Sequence, residues 1–209
     1  MSRPETGNIT VDIAARERHV VGSGPRIAPI PNDEVDPECR SIANGVRAGA
    51  GVGPIEVLAE SMRIMMKHPP LFRCQMDTGL AIFRGQISKR DRELAVLRVG
   101  WLSRAPYEWG EHVDIARRYG VTQEEIERVT HGSSAAGWSE RDKAIIRGVE
   151  ELVADQVLSE DTWSVLSRTW SEPQMIEYLV VVGQYLAIAL LQNSIRVPLA
   201  SDNPGLAHR

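Results

Sequence analysis

The chain has 209 residues, 43% of them hydrophobic, which suffices for one domain with a real core, alone or with an arm. A net charge of -4, with Lys and Arg scattered rather than gathered in a basic block, argues against a nucleic-acid partner. The two cysteines, Cys39 and Cys74, lie thirty-five residues apart with no Cys-x-x-Cys and no zinc-like spacing, which fits a reducing cytoplasm.

The chain opens with MSRPETGNITVDIAARERH, which has no apolar run of signal-peptide length. Residues 1–53 read as an extended arm, because GSGPRIAPIPNDEVDPE carries four prolines among glycines and polar residues. A short helix over Asp36 to Ala43 and a Gly-rich joint, GVRAGAGVGP, complete it. The joint has no phosphate-binding fingerprint, since no strand pattern precedes it and no G-K-[ST] follows.

From Pro54 onward every segment has helical period and none alternates like a strand. Ile55 to Lys67 and Leu71 to Phe83 are the first two helices of this body. Ser88 caps a third that runs to about Arg104, and Ala105-Pro106 breaks it, because the residue before proline resists the α region. Pro106 to Tyr119 follows, closed by Gly120. Thr122 and Glu125 form a capping box for the next, and Ser139, Ser159 and Ser171 open three more. The sequence therefore predicts an all-α fold of about eight helices over residues 54–199, with a tail over 200–209. The run Tyr178 to Leu191 is apolar on nearly every side but shorter than the ~20 residues of a membrane span, so it reads as central to the domain or covered by another subunit.

The chemistry concentrates in ELAVLRVGWLSRAPYEWGEH, from Glu93 to His112. Glu108 and His112 are four apart and share a helix face, and Glu93 lies on the preceding helix beside an apolar stripe. Imidazole and carboxylates near Trp101, Tyr107 and Trp109 make a candidate proton-transfer site: Glu93, Glu108 and His112 catalytic, the three aromatics lining the substrate. A solvated Glu-His pair is the competing reading. No metal is expected, because helical di-metal sites repeat Glu-x-x-His on two helices and no second copy exists here.

The run RELAVLRVGWLSRAPYEWGEHVDIARRYGVTQEEI resembles the carboxymuconolactone decarboxylase family, whose fold is shared with the alkylhydroperoxidase D proteins. The likeness extends from about Pro54 to Pro198. The peroxidase branch carries a glutamate, a Cys-x-x-Cys pair and a histidine; here Ala105 and Glu108 occupy the cysteine positions, so the chain is similar to the decarboxylase branch. That resemblance implies an alkylhydroperoxidase D-like helical domain and a cofactor-independent lyase acting on a small unsaturated or cyclic carboxylated substrate, by decarboxylation or a related isomerisation or cyclisation. It also implies a homo-oligomer, a trimer or hexamer. Arg73, Arg84, Arg90 and Arg98 are the candidates to hold a substrate carboxylate. The alternatives are a non-catalytic member that binds a ligand or partner, and a peroxidase-type antioxidant protein, which the missing thiols oppose.

Overall fold

The computed structural model describes residues 12–22, 24–49 and 53–209. The expectations for residues 1–11 and for the middle of the Gly-rich joint lie outside these. Ten α-helices and no strand occur among the described residues. They are α1 (Ile13–Val20), α2 (Pro37–Gly49), α3 (Glu60–Met65), α4 (Pro69–Phe83), α5 (Lys89–Leu102), α6 (Pro106–Arg118), α7 (Gln123–His131), α8 (Glu140–Asp155), α9 (Glu160–Ser167) and α10 (Glu172–Ile195).

The eight helices read from the sequence are α3 to α10. The starts read from capping residues hold because the caps form: Ser88 accepts from Asp91 N at 3.1 Å, and Thr122 and Glu125 complete their reciprocal box, whereas α3, expected from Ile55, begins only at Glu60, where no side chain caps it. The arm, expected to be extended apart from one short helix, carries two. Asp12 caps α1 by accepting from Ala15 N at 2.9 Å, and α2 continues six residues beyond its expected end at Ala43, taking in the first glycines of the joint.

The central helix is α5. Every residue from Asp91 to Trp101 is buried, and α6, α7, α8 and α10 pack around it. The apolar run in α10 reads from the sequence as central to the domain or covered by another subunit. α10 is 24 residues long and apolar enough, by length and composition, to cross a membrane, yet it buries one face (Tyr178, Val181, Val182, Tyr185, Ala189) against the core and leaves Ile176 and Val180 exposed. The charges on α5 hid its position. Asp91 pairs with Arg141, and Arg98 pairs with Glu150 at 2.7 Å while donating to the carbonyls of Val129 and Thr130 at the end of α7. Each ion enters the core already compensated.

A second, smaller cluster, built on Val35, Cys39, Ala43, Leu58, Met66 and Phe72, joins α2, α3 and α4. The space between this cluster and the α5-centred core becomes the cavity described below.

The last ten residues are not a free tail. Leu206 is fully buried, Trp109 Nε1 donates to His208 O at 2.9 Å, and the Asn203 amide donates to Tyr107 O at 3.1 Å and Glu111 at 3.0 Å. Asn203 also accepts from Gly205 N at 2.8 Å, so its side chain is fixed against α6 at Gly110. A methyl group at Gly110 would fall 1.7 Å from Asn203 Oδ1. Gly110→Ala should therefore lower stability by about 1–3 kcal/mol, as overpacking does, measured by urea unfolding. Asn203→Ala in the same background should recover part of the loss, and an unchanged midpoint for Gly110→Ala would contradict the packing described.

Candidate active site

Three residues, Ser103 to Ala105, connect α5 to α6, with Arg104 at a φ of 47°. This tight reversal folds α6 back along α5 and sets residue 112 beside residue 93, nineteen positions earlier. Pro106 supports the turn at the first position of α6, where its missing N–H costs nothing.

His112 then lies between two carboxylates. Its Nδ1 is 2.7 Å from Glu93 Oε2, and its Nε2 is 3.2 Å from Glu108 Oε1. Glu93 is fully buried, and its other oxygen accepts from Arg92 Nε at 2.9 Å. Arg92 is itself buried, with its guanidinium 4.8 Å from the Phe83 ring centroid and 5.4 Å from that of Tyr119. The edge of Tyr185 meets the His112 ring at 5.0 Å between centroids and an interplanar angle of 87°. Arg92, Glu93, His112 and Glu108 thus form one chain of alternating charge, neutral in sum when the imidazole is protonated.

Burial works against a charged imidazole, but the negative charge of Glu93 and the hydrogen bonds to Glu108 and Glu93 outweigh it and push the His112 pKa up to about 10. The ring is an imidazolium at neutral pH. Burial first, and then the charges of Glu93 and Glu108, push the Tyr185 phenol well above its usual range, so it remains a hydrogen-bond donor.

The cavity beside this chain has a volume of about 180 Å³. Glu108, His112 and Tyr185 form one wall, and Met62, Met65, Phe72, Met76 and Ile82 supply an apolar wall opposite. Gln75, Gln184 and Gln192 provide amides; Gln192 is mostly buried, and its Oε1 has no hydrogen-bond partner. Glu93 lies behind His112, outside the lining. The two carboxylates therefore have different places: Glu108 faces the cavity, and Glu93 holds the back of the ring.

Some expected site residues fall elsewhere. Trp101 and Trp109 do not line the cavity; they pack on each other at 5.0 Å beneath the Arg209 guanidinium and tie the carboxyl terminus to α6. Tyr107 stands behind the cavity wall, with its hydroxyl 3.1 Å from that of Ser61. The three aromatics are thus corrected to structural positions. No arginine or lysine lines the cavity among the described residues. Arg73 pairs with Glu38, Arg90 with Asp142 and Glu125, and Arg98 with Glu150, so none of these is free to hold a substrate carboxylate there. Neither cysteine lines it. Arg92 and Tyr185 were not singled out from the sequence. Arg92 is adjacent to Glu93, a spacing that carries no helical-face signal, and Tyr185 comes from a helix more than seventy residues away.

The family model for the carboxymuconolactone decarboxylase family matches residues 69–151, spanning α4 to most of α8 and including Glu93, Glu108 and His112. The match makes residues 69–151 similar to that family over the helices that carry the ion chain. Solved structures extend a likeness of fold beyond these residues. A peroxidase-related protein from Ralstonia eutropha JMP134, described as an alkylhydroperoxidase AhpD core, superposes with a TM-score of 0.69 at 16% identity, covering 84% of this chain and 94% of that one. A peroxidase-related protein from Silicibacter sp. TM1040 gives 0.67 at 12% identity, covering 97% and 96%. The debrominase Bmp8 gives 0.67 at 14% identity, covering 85% and 93%. At these identities the likeness is one of fold: the helical body is alkylhydroperoxidase D-like. No curated protein matches the sequence.

A raised imidazole pKa has a definite sign for stability. The folded protein holds a proton on His112 that the unfolded chain releases near 6.5, so this contribution is complete below about pH 6.5 and is lost as pH rises toward 10. Wild-type melting temperature should fall over that window, and His112→Gln should flatten the fall. Carbon-detected NMR of the imidazole should show no titration near neutral pH; a midpoint between 6 and 7 would refute the ion chain.

Proposed function

We propose that this protein is a cofactor-independent enzyme of general acid–base type that moves a proton to or from a carbon atom of a small, largely apolar substrate. The observation that carries this reading is the imidazolium of His112, held between a carboxylate that faces the cavity and one that does not. Glu108 is the group that meets the substrate. It exchanges the proton with His112 Nε2, while Glu93 and Arg92 orient the ring from behind and keep it charged. Tyr185 offers a phenolic O–H to a substrate oxygen on which negative charge develops.

Decarboxylation, isomerisation and cyclisation of unsaturated compounds all pass through an enolate-like carbanion that must be stabilised and protonated, and this set of groups suits each. The cavity favours an uncharged body. Glu108 repels an anion, and both nitrogens of His112, the one cation lining the cavity among the described residues, already face carboxylates. A carboxylate that is lost in the reaction gains little stabilisation in such a pocket, which favours its departure; a carboxylate that must stay has no arginine to hold it.

The sign expected of a non-catalytic family member was a pocket that leaves the histidine unshifted, and the strong shift of His112 argues against it. Thiol peroxidase chemistry has no thiol in this cavity. The uncovered apolar residues Ile176, Leu179 and Val180 on α10 support association with further copies of the chain.

The experiment is turnover of small unsaturated lactone acids and of their methyl esters, followed by absorbance. Glu108→Gln and His112→Gln should each lower kcat by about 10²–10⁴-fold, the range for losing a positioned acid–base group. Equal turnover by wild type and both variants would remove these residues from the chemistry. Preference for the ester over the acid is expected where the carboxylate is not the leaving group.

A further inference from the structure

Another face of α10 borders a second cavity, of about 410 Å³, with a different character. Arg16, His19, Arg26 and Arg196 lie around it, and no Asp or Glu does so among the described residues. In a chain of net charge -4, three guanidiniums around one cavity with no carboxylate is an unbalanced arrangement.

The contacts that these arginines do make are to neutral carbonyls. Arg16 donates through Nε to Arg104 O at 3.0 Å and through Nη2 to Ser103 O at 3.3 Å, and Arg26 Nη1 donates to Ser194 O at 3.0 Å. These bonds close the carboxyl-terminal ends of α5 and α10, where cations are favourable, but they leave most of the guanidinium donors unused. Arg196 makes no such bond among the described residues. It sits in the left-handed region at the end of α10, with φ 59°, and its Nε is buried with no partner. A second buried atom on the same cavity, Ser103 Oγ, is also without a partner, although the Ser103 carbonyl accepts from both Arg16 and Asn193. Burial first, and then the positive charge of Arg104, lower the Arg16 pKa, the direction that crowded cations produce.

Buried polar atoms without partners mark a place that an ordered group completes. A water could satisfy Ser103 but would not neutralise three guanidiniums. We propose that this cavity binds an oxyanion, a phosphate or carboxylate group, held by Arg196 and Ser103 with Arg16 and Arg26 around it, and that the apolar part of the ligand rests on Leu186 and Leu190. The site is independent of the acid–base cavity, which α10 borders through Tyr185 and Gln192.

The test is isothermal titration of the full chain with inorganic phosphate, octyl phosphate and octanoate, at ionic strength held constant with chloride. Phosphate should bind, Arg196→Gln should weaken it by about tenfold or more, and Ser103→Ala should weaken it by a smaller factor with no change of charge. His112→Gln should bind phosphate as wild type does, which separates this site from the catalytic reading. Tighter binding of octyl phosphate or octanoate than of inorganic phosphate identifies an amphipathic ligand; equal binding identifies a site for the head group alone. Heat no greater than that of chloride for all three, or wild-type affinity in both Arg196→Gln and Ser103→Ala, would overturn the proposal.

Discussion

A charged imidazole buried in an apolar helical core is the constraint that the rest of this molecule satisfies. Left alone, such a ring would lose its proton rather than its water. It keeps the proton because Glu93 and Glu108 stand on either side, and Arg92 donates to the fully buried Glu93 from behind. Removing one partner from such a chain would leave an uncompensated ion in the core, a defect of about 3–5 kcal/mol. The helix geometry follows from this demand. α5 has to run through the centre with its charges facing partners, and α6 has to return along it through a three-residue turn.

The same logic explains why composition alone does not single out α5 as the central helix. Lys89 to Leu102 contains Asp91, Arg92, Glu93 and Arg98, and its charge count resembles that of a surface helix. Those charges are all buried in pairs, a property of tertiary structure that no local window contains. α10, whose apolar run is readable as central or as covered by another subunit, has one face buried in the core and leaves Ile176 and Val180 exposed. Composition reports the cost of burial for each residue taken singly, whereas the structure charges that cost to pairs.

Much of the rest was legible. Helix starts carried by Ser88, Thr122 and Ser139 are local chemistry and were found within a residue or two, as was the break at Ala105-Pro106. The i, i+4 relation of Glu108 and His112 is likewise local, and the ring meets that carboxylate at 3.2 Å. Glu93 was reachable because two consecutive helices with a short turn must be antiparallel. The aromatics failed for a physical reason: Trp101 and Trp109 lie on the same two helices as the ion chain but turn toward the carboxyl-terminal segment, whose docking nothing in their spacing announces. Tyr185 and the methionines of α3 and α4 come from remote segments, and only the closed fold brings them to His112.

The position of the cavity carries a further consequence for chemistry. It lies where the small cluster of α2, α3 and α4 meets the α5-centred core, so its two walls belong to different packing units. One wall holds the ion chain, rigid because every charge in it is fixed by a neighbour. The other is rich in methionine, whose flexible thioether adapts to the shape of what it touches. For the proposed acid–base reaction, a fixed charged wall facing an adaptable apolar wall separates two tasks. On the proposed reading, proton transfer uses the fixed distances among Glu93, His112 and Glu108, while the fit of a substrate rests on the methionine side chains across the cavity. One helical scaffold can host different reactions, because its chemistry resides in the side chains around the cavity rather than in the helices themselves.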